Sequence, residues 1–304
     1  MISIAMATYN GTRYIREQID SILRQTIQDF ELVICDDCST DGTLMIVEEY
    51  AKKDSRFVVY KNEINLGYRR NFEGLVYKCR GEYIAFCDQD DIWLPNHLEV
   101  LFRGIEGRDV SSADAEIIDA TGKSMGFKLS DFTRLRYWPQ QPLEQGYTYF
   151  YYRNPFPGCN TMYRKSFLQK IYPIHNDNIQ LHDTFADTMA CVLGKGIGYA
   201  DEVIMLYRFH GNSVTAGSKK DSQQHPMKCL IRKFVSGIGS PRFRYVKDRV
   251  HYCEEIYSRR FSLDERQYEF VRNAREYHQR RNSIWGRFLN LLFDIRHYRK
   301  IYNV

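Results

Sequence analysis

The 304-residue chain lacks the features that mark secreted, membrane-spanning or disulfide-stapled proteins. Its 8 cysteines are too dilute for a disulfide framework. The N-terminal segment carries no charged stretch followed by an apolar one, and no run reaches the roughly 18 apolar residues that a membrane span requires. No G-x-G-x-x-G follows the first apolar run, which disfavours a dinucleotide-dependent oxidoreductase. We therefore expect a cytoplasmic protein with reduced thiols.

Charge is distributed unevenly along the chain. Residues 225–304 contain 18 Lys and Arg against 8 Asp and Glu, although the formal net charge of the whole chain is only +5. The length fits roughly two domains, or one large domain with an appendage. We therefore predict a first domain over residues 1–216 and a basic helical C-terminal segment over residues 225–304, separated by a polar stretch.

The first hundred residues alternate between strand and helix patterns. Their apolar runs lie at residues 2–7, 30–35, 57–60 and 83–87. Between the first two runs, Ile15, Ile19 and Ile22 recur at the spacing of one helix face. This alternation predicts an α/β fold with a mainly parallel sheet flanked by helices. Ligands bind such sheets at the carboxyl ends of the strands.

The chain is less regular after the first hundred residues. Residues 106–160 indicate only short strands and turns, and aromatic side chains crowd positions 147–152. A helix is predicted at about 183–193 and a strand at 203–207.

Acidic residues follow two of the predicted strands. Asp88-Gln89-Asp90-Asp91 places three carboxylates in four residues, which repel one another unless a cation or solvent intervenes. A hard divalent cation is the simplest compensator, and a solvated acidic turn is the alternative. Asp36-Asp37 follows the second strand and predicts either a capped turn or a contact with a ligand.

Several short motifs occur in a fixed order. They are Ala7-Thr8-Tyr9-Asn10, residues 33–43 around Asp36-Asp37, Asn65-Leu66-Gly67, residues 81–93 around Asp88-Gln89-Asp90-Asp91, His182-Asp183, and residues 207–214 around His210. In order and spacing they closely resemble the family 2 glycosyltransferases, above all the rhamnosyltransferase-like enzymes of bacterial surface-polysaccharide (O-antigen or capsule) assembly. The resemblance covers residues 1–216 and implies a GT-A fold, a Rossmann-like sheet that binds a nucleotide sugar. The sequence departs from the family at Cys38, where glycine is usual.

The resemblance also implies roles for individual residues. Those expected at the nucleotide are Thr8, Tyr9, Asn10, Asp37 and Asp88, and Asp88 would meet either the ribose or the metal. Asp90 would ligate Mn²⁺ or Mg²⁺ at the diphosphate, and His210 falls where some members add a second ligand. Asp183 falls at the position of the catalytic base. From the residues alone, the favoured interpretation of Asp183 is a carboxylate that interacts with a helix dipole, and that of His210 is a packed or hydrogen-bonding histidine.

These implications define a first hypothesis for function. It is an inverting, metal-dependent glycosyltransferase that moves a sugar from a nucleoside diphosphate sugar, dTDP-rhamnose or a UDP-hexose, to a hydroxyl of a lipid-linked glycan. A single base suits direct displacement, and the sequence offers no clear nucleophile for a retaining mechanism. The alternative is a non-catalytic module on the same fold that binds a nucleotide sugar or a membrane.

The basic C-terminal segment ends in an amphipathic pattern. Over residues 283–302, Trp285, Phe288 and Leu292 recur at helical spacing among arginines. This pattern is typical of a helix that lies on anionic lipid, which predicts a peripheral protein on the inner face of the cytoplasmic membrane. The alternative is a helix packed against the first domain. No nucleic-acid-binding motif accompanies the charge, so we expect no nucleic-acid partner.

Overall fold

The structure is a computed structural model that describes residues 1–131, 138–147, 156–210, 251–256 and 261–280. The first part of the chain forms β1 (Ile2–Thr8), α1 (Ile15–Leu23), β2 (Phe30–Asp36), α2 (Thr43–Ala51), β3 (Phe57–Lys61), α3 (Gly67–Lys78), β4 (Tyr83–Cys87), β5 (Ile92–Trp93) and α4 (His97–Gly104). The later part forms β6 (Val110–Ile118), β7 (Ser124–Lys128), α5 (Pro142–Tyr147), β8 (Thr161–Arg164), α6 (Lys165–Ile171), α7 (His182–Leu193), β9 (Ile197–Arg208) and α8 (Glu265–Arg280). Residues 251–256 are also helical.

The described strands form one nine-stranded sheet in the order β3-β2-β1-β4-β8-β6-β9-β5, with β7 paired to β6. β1 pairs in parallel with β2 and with β4, and Thr8 lies beside Asp36 in this register. The ends of β1, β2 and β4 therefore meet at one edge. The predicted α/β sheet flanked by helices is confirmed, and the strands predicted in the first hundred residues are the parallel half of it.

The second half of the sheet is mixed. β8 runs antiparallel to β4 and β6, whereas β9 runs parallel to β6. β6 has nine residues where the sequence indicated only short strands and turns. The apolar pattern is weak there because the buried residues Ser111, Ser112 and Asp114 are polar. Each is paired: the two serine hydroxyls donate to the carbonyls of Leu101 and Asn160, and Ser130 donates to the Asp114 carboxylate.

Apolar side chains alternate along the strands and build two cores. Ile4 and Leu32 belong to one core, whereas their neighbours Ala5 and Val33 belong to the other, so the cores lie on opposite faces of the sheet. The second of these cores also contains buried residues of the C-terminal region. They are Tyr252, Cys253, Ile256, Phe270, Val271, Ala274 and Tyr277. The described part of the basic C-terminal segment therefore packs against the α/β sheet and its helices.

Some predictions fall on residues outside the described ranges. They are the boundary between 216 and 225, the amphipathic pattern at 283–302, the aromatic side chains at 147–152, and the whole segment from 211 to 250. Among the helices that the structure describes, none combines the length and the apolar character needed to cross a membrane.

Candidate functional site

Asp36 organises the turn after β2. Thr8 is 1% exposed, and its hydroxyl donates to Asp36 Oδ1 at 2.9 Å. The backbone N–H and the hydroxyl of Ser39 also donate to the Asp36 carboxylate, at 2.8 and 2.6 Å. Of the two adjacent aspartates, Asp36 therefore serves the turn, and the predicted nucleotide residue Thr8 is held against it.

Asp37 holds the start of α3. Its Oδ1 accepts the Leu66 N–H and its Oδ2 accepts the Gly67 N–H, both at 2.8 Å. Asn62 donates a further hydrogen bond to Oδ1 at 2.8 Å. Because the carboxylate is only 3% exposed, these donors compensate for the solvation that it loses. Asp37 thus links the end of β2 to the Asn65-Leu66-Gly67 motif, and its predicted contact with a nucleotide stays a prediction.

Tyr9 is held by a side chain of the acidic loop, residues 88–91. The Gln89 amide accepts the Tyr9 N–H at 2.9 Å and donates to the Tyr9 carbonyl at 3.0 Å. A Cβ on Gly11 would lie 2.2 Å from Gln89 Oε1, so a larger residue at this position would displace the Gln89 side chain. The Tyr9 ring is 50% exposed. Gln89 therefore fixes the backbone and leaves the ring accessible.

Two turn residues adopt the left-handed conformation. Asn10 has φ 49° and its side chain accepts the Thr40 N–H at 2.9 Å, which joins the loops after β1 and β2. Cys38 has φ 65°, at the position where the family usually has glycine. The Cys38 thiol donates to the Asn62 carbonyl at 3.1 Å. The turn thus keeps a glycine-like backbone in spite of the substitution.

The acidic loop follows β4 and contains one fully buried carboxylate. Asp91 is 1% exposed, and its Oδ1 accepts the Arg208 N–H at 2.8 Å. Burial raises the pKa of Asp91 well above its usual range, and the charges of Asp90 and Asp88 raise it further. The ligand atoms of Asp88, Asp91 and Cys159 lie within 4.8 Å of one another.

β9 brings two side chains to the same loop. Nε2 of His210 lies 2.8 Å from Asp90 Oδ2, so the two predicted metal ligands are neighbours. The Arg208 guanidinium is 2% exposed and donates to the Asp90 carbonyl at 2.7 Å. Its far side pairs with Glu17 at 2.6 Å and lies over the Tyr14 ring. Arg208 therefore joins the acidic loop to α1.

Asp183 lies in the first turn of α7 and is oriented by backbone donors. Its Oδ2 accepts the Gly158 N–H at 3.0 Å, and its Oδ1 accepts the Thr184 N–H at 2.6 Å. A Cβ on Gly158 would lie 2.9 Å from Asp183 Cβ, so only glycine fits this approach without a shift. The next residue, Cys159, contacts the acidic loop. The 3₁₀ turn Gly158–Asn160 thus lies between the predicted base, Asp183, and the acidic loop.

The residues at this edge fit a divalent cation. Asp91 Oδ2 is buried and finds no hydrogen-bond partner among the described residues. Carboxylate oxygens and imidazole nitrogen are donors that suit Mn²⁺, and carboxylates suit Mg²⁺. Asp88, Asp91 and Cys159 form the cluster of ligand atoms at this edge, and the assignment of Asp90 and His210 as ligands stays a prediction.

Sequence reasoning missed three residues that build the site. Gln89 and Arg208 were adjacent to predicted site residues but were given no role. Gly158 lay in a stretch whose pattern indicated only turns. Their signal is not periodic, because each acts through a hydrogen bond between a backbone group and a side chain of a distant segment. The eight predicted residues divide into a group on the loops after β1 and β2 and a group around the acidic loop, and Gln89 connects the two.

Comparisons with known proteins place the chain in a family. Residues 3–172 match the family model of Glycosyl transferase family 2. The putative glycosyltransferase EpsH of Bacillus subtilis (strain 168) is 31% identical over 231 residues, which cover 72% of this chain and 64% of EpsH. The dTDP-rhamnosyl transferase RfbG of Shigella flexneri is 29% identical over 241 residues, which cover 75% of this chain and 79% of RfbG.

A third relative matches over a shorter stretch. The UDP-Glc:alpha-D-GlcNAc-diphosphoundecaprenol beta-1,3-glucosyltransferase WfgD of Escherichia coli is 39% identical over 100 residues, which cover 33% of this chain and 39% of WfgD. The chain thus spans less than two thirds of the length of EpsH and of WfgD.

Solved structures share the fold. The mannosyltransferase PcManGT from Pyrobaculum calidifontis, in complex with GDP-Man and Mn²⁺, has a TM-score of 0.59 at 15% identity, with 91% of this chain and 69% of that chain covered. TarS 1–349 of S. aureus, in complex with UDP-GlcNAc, has a TM-score of 0.53 at 19% identity, with 99% of this chain and 90% of that chain covered. The predicted GT-A fold and family are both confirmed: this chain belongs to glycosyltransferase family 2.

Proposed function

We propose that the protein is an inverting glycosyltransferase that transfers a sugar from a nucleoside diphosphate sugar to a hydroxyl group of a glycan. The observation that carries this proposal is the convergence of Asp183 and the acidic loop on one short turn, Gly158–Asn160. This arrangement sets a carboxylate beside the loop proposed to receive the donor diphosphate. Family membership and the relatives named as transferases support it.

In this mechanism Asp183 accepts the proton of the acceptor hydroxyl. The N–H groups of Gly158 and Thr184 hold one oxygen each, and the Thr184 hydroxyl lies 3.4 Å from Oδ1, so the orientation of the carboxylate is fixed. A single base of this kind suits direct displacement at the anomeric carbon, with inversion. Tyr9, Asn10 and Asp37 lie on the loops that we assign to the base and ribose.

A divalent cation, Mn²⁺ or Mg²⁺, held by Asp88, Asp90 and His210 would offset the negative charge of the diphosphate leaving group. His210 Nε2 and Asp90 Oδ2 lie 2.8 Å apart, close enough to bind one cation together. Arg208 keeps the loop in place through its contact with the Asp90 carbonyl.

We further propose dTDP-rhamnose or a UDP-hexose as donor and a lipid-linked glycan as acceptor. RfbG is named a dTDP-rhamnosyl transferase, and the name of WfgD specifies UDP-Glc and a diphosphoundecaprenol acceptor. A lipid-linked acceptor suits attachment to the inner face of the cytoplasmic membrane through the basic pattern at 283–302.

Removal of the residues after Arg280 should abolish binding to anionic liposomes. Binding that survives this truncation would contradict the attachment.

The first experiment tests the base. Asp183→Asn should lower turnover by about 10²–10⁴-fold, the usual contribution of a general base, and leave the donor Kd unchanged in calorimetry. Turnover is read as free nucleoside diphosphate across a panel of dTDP-rhamnose, UDP-glucose and UDP-galactose. Asp201→Asn, an exposed site on β9, is the matched control and should behave as wild type. A donor affinity that falls in step with turnover would make Asp183 a donor-site or folding residue.

The second experiment tests the metal ligand. Asp90→Ala should abolish transfer, and its donor binding should no longer respond to added Mn²⁺. Wild-type activity that is undiminished by EDTA would contradict metal dependence.

A further inference from the structure

Glu255 in the helical segment 251–256 accepts hydrogen bonds from the connection between α6 and α7. Its side chain is buried, with the residue 2% exposed. Oε1 accepts the His175 N–H at 2.9 Å, and Oε2 accepts the Asn176 N–H at 3.0 Å. A buried carboxylate requires donors of this kind, so Glu255 and these two peptide groups stabilise one another.

Arg69 of α3 holds the same connection from another side. Arg69 is 8% exposed. Its Nη2 donates to Asp177 Oδ1 at 2.7 Å, and its Nη1 lies 3.4 Å from the Asn176 carbonyl. Glu255 thus binds the N–H groups of His175 and Asn176, and Arg69 contacts the Asn176 carbonyl. Arg70 adds a second contact with Asp177 at 3.1 Å.

This connection, residues 173–181, leads directly into α7. Ile174 and Ile179 anchor it in the core, at 5% and 0% exposure. The Tyr172 hydroxyl, at its start, donates to the carbonyl of His182, the first residue of α7. Asp183 follows. The ring of Tyr252 also lies 5.6 Å from that of Phe185, two residues further along α7. The segment 251–256 therefore contacts both α7, which carries Asp183, and the connection that leads into α7.

We propose that Glu255 is a positioning residue for Asp183, through the connection 173–181. The inference rests on the proposed role of Asp183 as base. Glu255 lies outside residues 3–172, which match the family model, and it follows the acidic loop by more than 160 positions in the sequence. The C-terminal region thus sets the geometry of transfer as well as covering the core.

The contact itself is tested by hydrogen–deuterium exchange at the His175 and Asn176 amides. Glu255→Ala should lose protection at both amides. Glu255→Gln keeps one acceptor oxygen and the same shape, so it should retain protection at one amide and carry the test if the alanine variant melts too low. Glu254→Ala is the matched control, because Glu254 lies in the same helix with a side chain 45% exposed and faces His251. It should leave both amides protected.

The effect on catalysis is tested by a double-mutant cycle. Glu255→Ala should lower kcat by about 10- to 100-fold, the cost of a misplaced catalytic group, with the donor Kd unchanged. In an Asp183→Asn background the same substitution should lower kcat no further, because both changes disable one base. Equal losses in the two backgrounds, or protected amides in Glu255→Ala, would overturn the positioning role. A fully active Asp183→Asn variant would refute the base itself, and the exchange result identifies which proposal failed.

Discussion

Gly11→Ala tests whether the clamp between Gln89 and Tyr9 shapes the donor site. The new Cβ would lie 2.2 Å from Gln89 Oε1 and 2.5 Å from Gln89 Cδ. Contacts this short are not tolerated, and the Gln89 side chain is the part that can move. Its displacement breaks the hydrogen bonds of 2.9 and 3.0 Å that hold the Tyr9 backbone.

The two consequences differ in size. The loss of two hydrogen bonds lowers the free energy of unfolding by about 1–3 kcal/mol. Alanine returns about 0.4–1 kcal/mol by restricting the unfolded chain, so the net loss of stability is about 0–2.6 kcal/mol. The affinity for the donor falls as well, because ordering the released Tyr9 backbone again on binding costs about 1–2 kcal/mol. This cost corresponds to roughly a tenfold rise in Kd.

The assay is donor titration by calorimetry beside a thermal melt. Gly74→Ala is the matched control, since no atom lies within 4 Å of the Cβ it would carry in the interior of α3. It should gain about 1 kcal/mol of stability and leave the donor Kd unchanged. In a Gln89→Ala background the obstacle is absent, so Gly11→Ala should add little. A tenfold rise in Kd caused by Gly11→Ala in that background as well would refute the reasoning.

Three further predictions concern stability. Burial lowers the pKa of His97 from 6.5 to about 3, so the unfolded chain takes up a proton below pH 6.5 while the folded protein does not. The free energy of unfolding should therefore fall by about 2 kcal/mol between pH 7 and pH 5 from this residue alone, and urea unfolding of His97→Phe should show a correspondingly shallower pH dependence. Cys38, at φ 65°, should tolerate glycine but not a β-branched side chain, so we expect Cys38→Val to be about 2 kcal/mol less stable than Cys38→Gly; equal melting temperatures would contradict this. Phe270→Ala should cost about 3–5 kcal/mol, because Phe270 is 5% exposed in the shared core, whereas Tyr268→Ala, at a site 50% exposed on the same helix, should cost little; equal melts would show that α8 is an independent appendage.

Periodic residues made the first half of the fold predictable. Ile15, Ile19 and Ile22 recur on one helix face, and all three are fully buried in the structure. β6 escaped prediction because its buried Ser111, Ser112 and Asp114 depend on hydrogen-bond partners elsewhere in the chain, which no local pattern records.

The same division separates what could be predicted of the site. Carboxylates at strand ends are visible in sequence because the strands before them are apolar, and parallel pairing brings those ends together. The contacts that orient the carboxylates are not visible. Asp183 is aligned by a backbone N–H of Gly158, and Glu255 binds two backbone N–H groups of the connection before α7. A backbone N–H donor is present in nearly every residue, so the amino-acid sequence does not show which residue provides it.

Arg208 shows why such contacts matter for the chemistry. Its guanidinium is buried within reach of an acidic loop, yet it contacts that loop at the carbonyl of Asp90 and takes its ion pair from Glu17. Its backbone N–H, rather than its charge, goes to the Asp91 carboxylate. The loop is therefore fixed in position through main-chain groups, and the Asp90 carboxylate faces His210 instead of a permanent cation. An arginine paired directly with the Asp90 carboxylate would compete with the cation that we propose there. Because Arg208 instead contacts the Asp90 carbonyl, the Asp90 carboxylate stays available for a metal ion and a diphosphate.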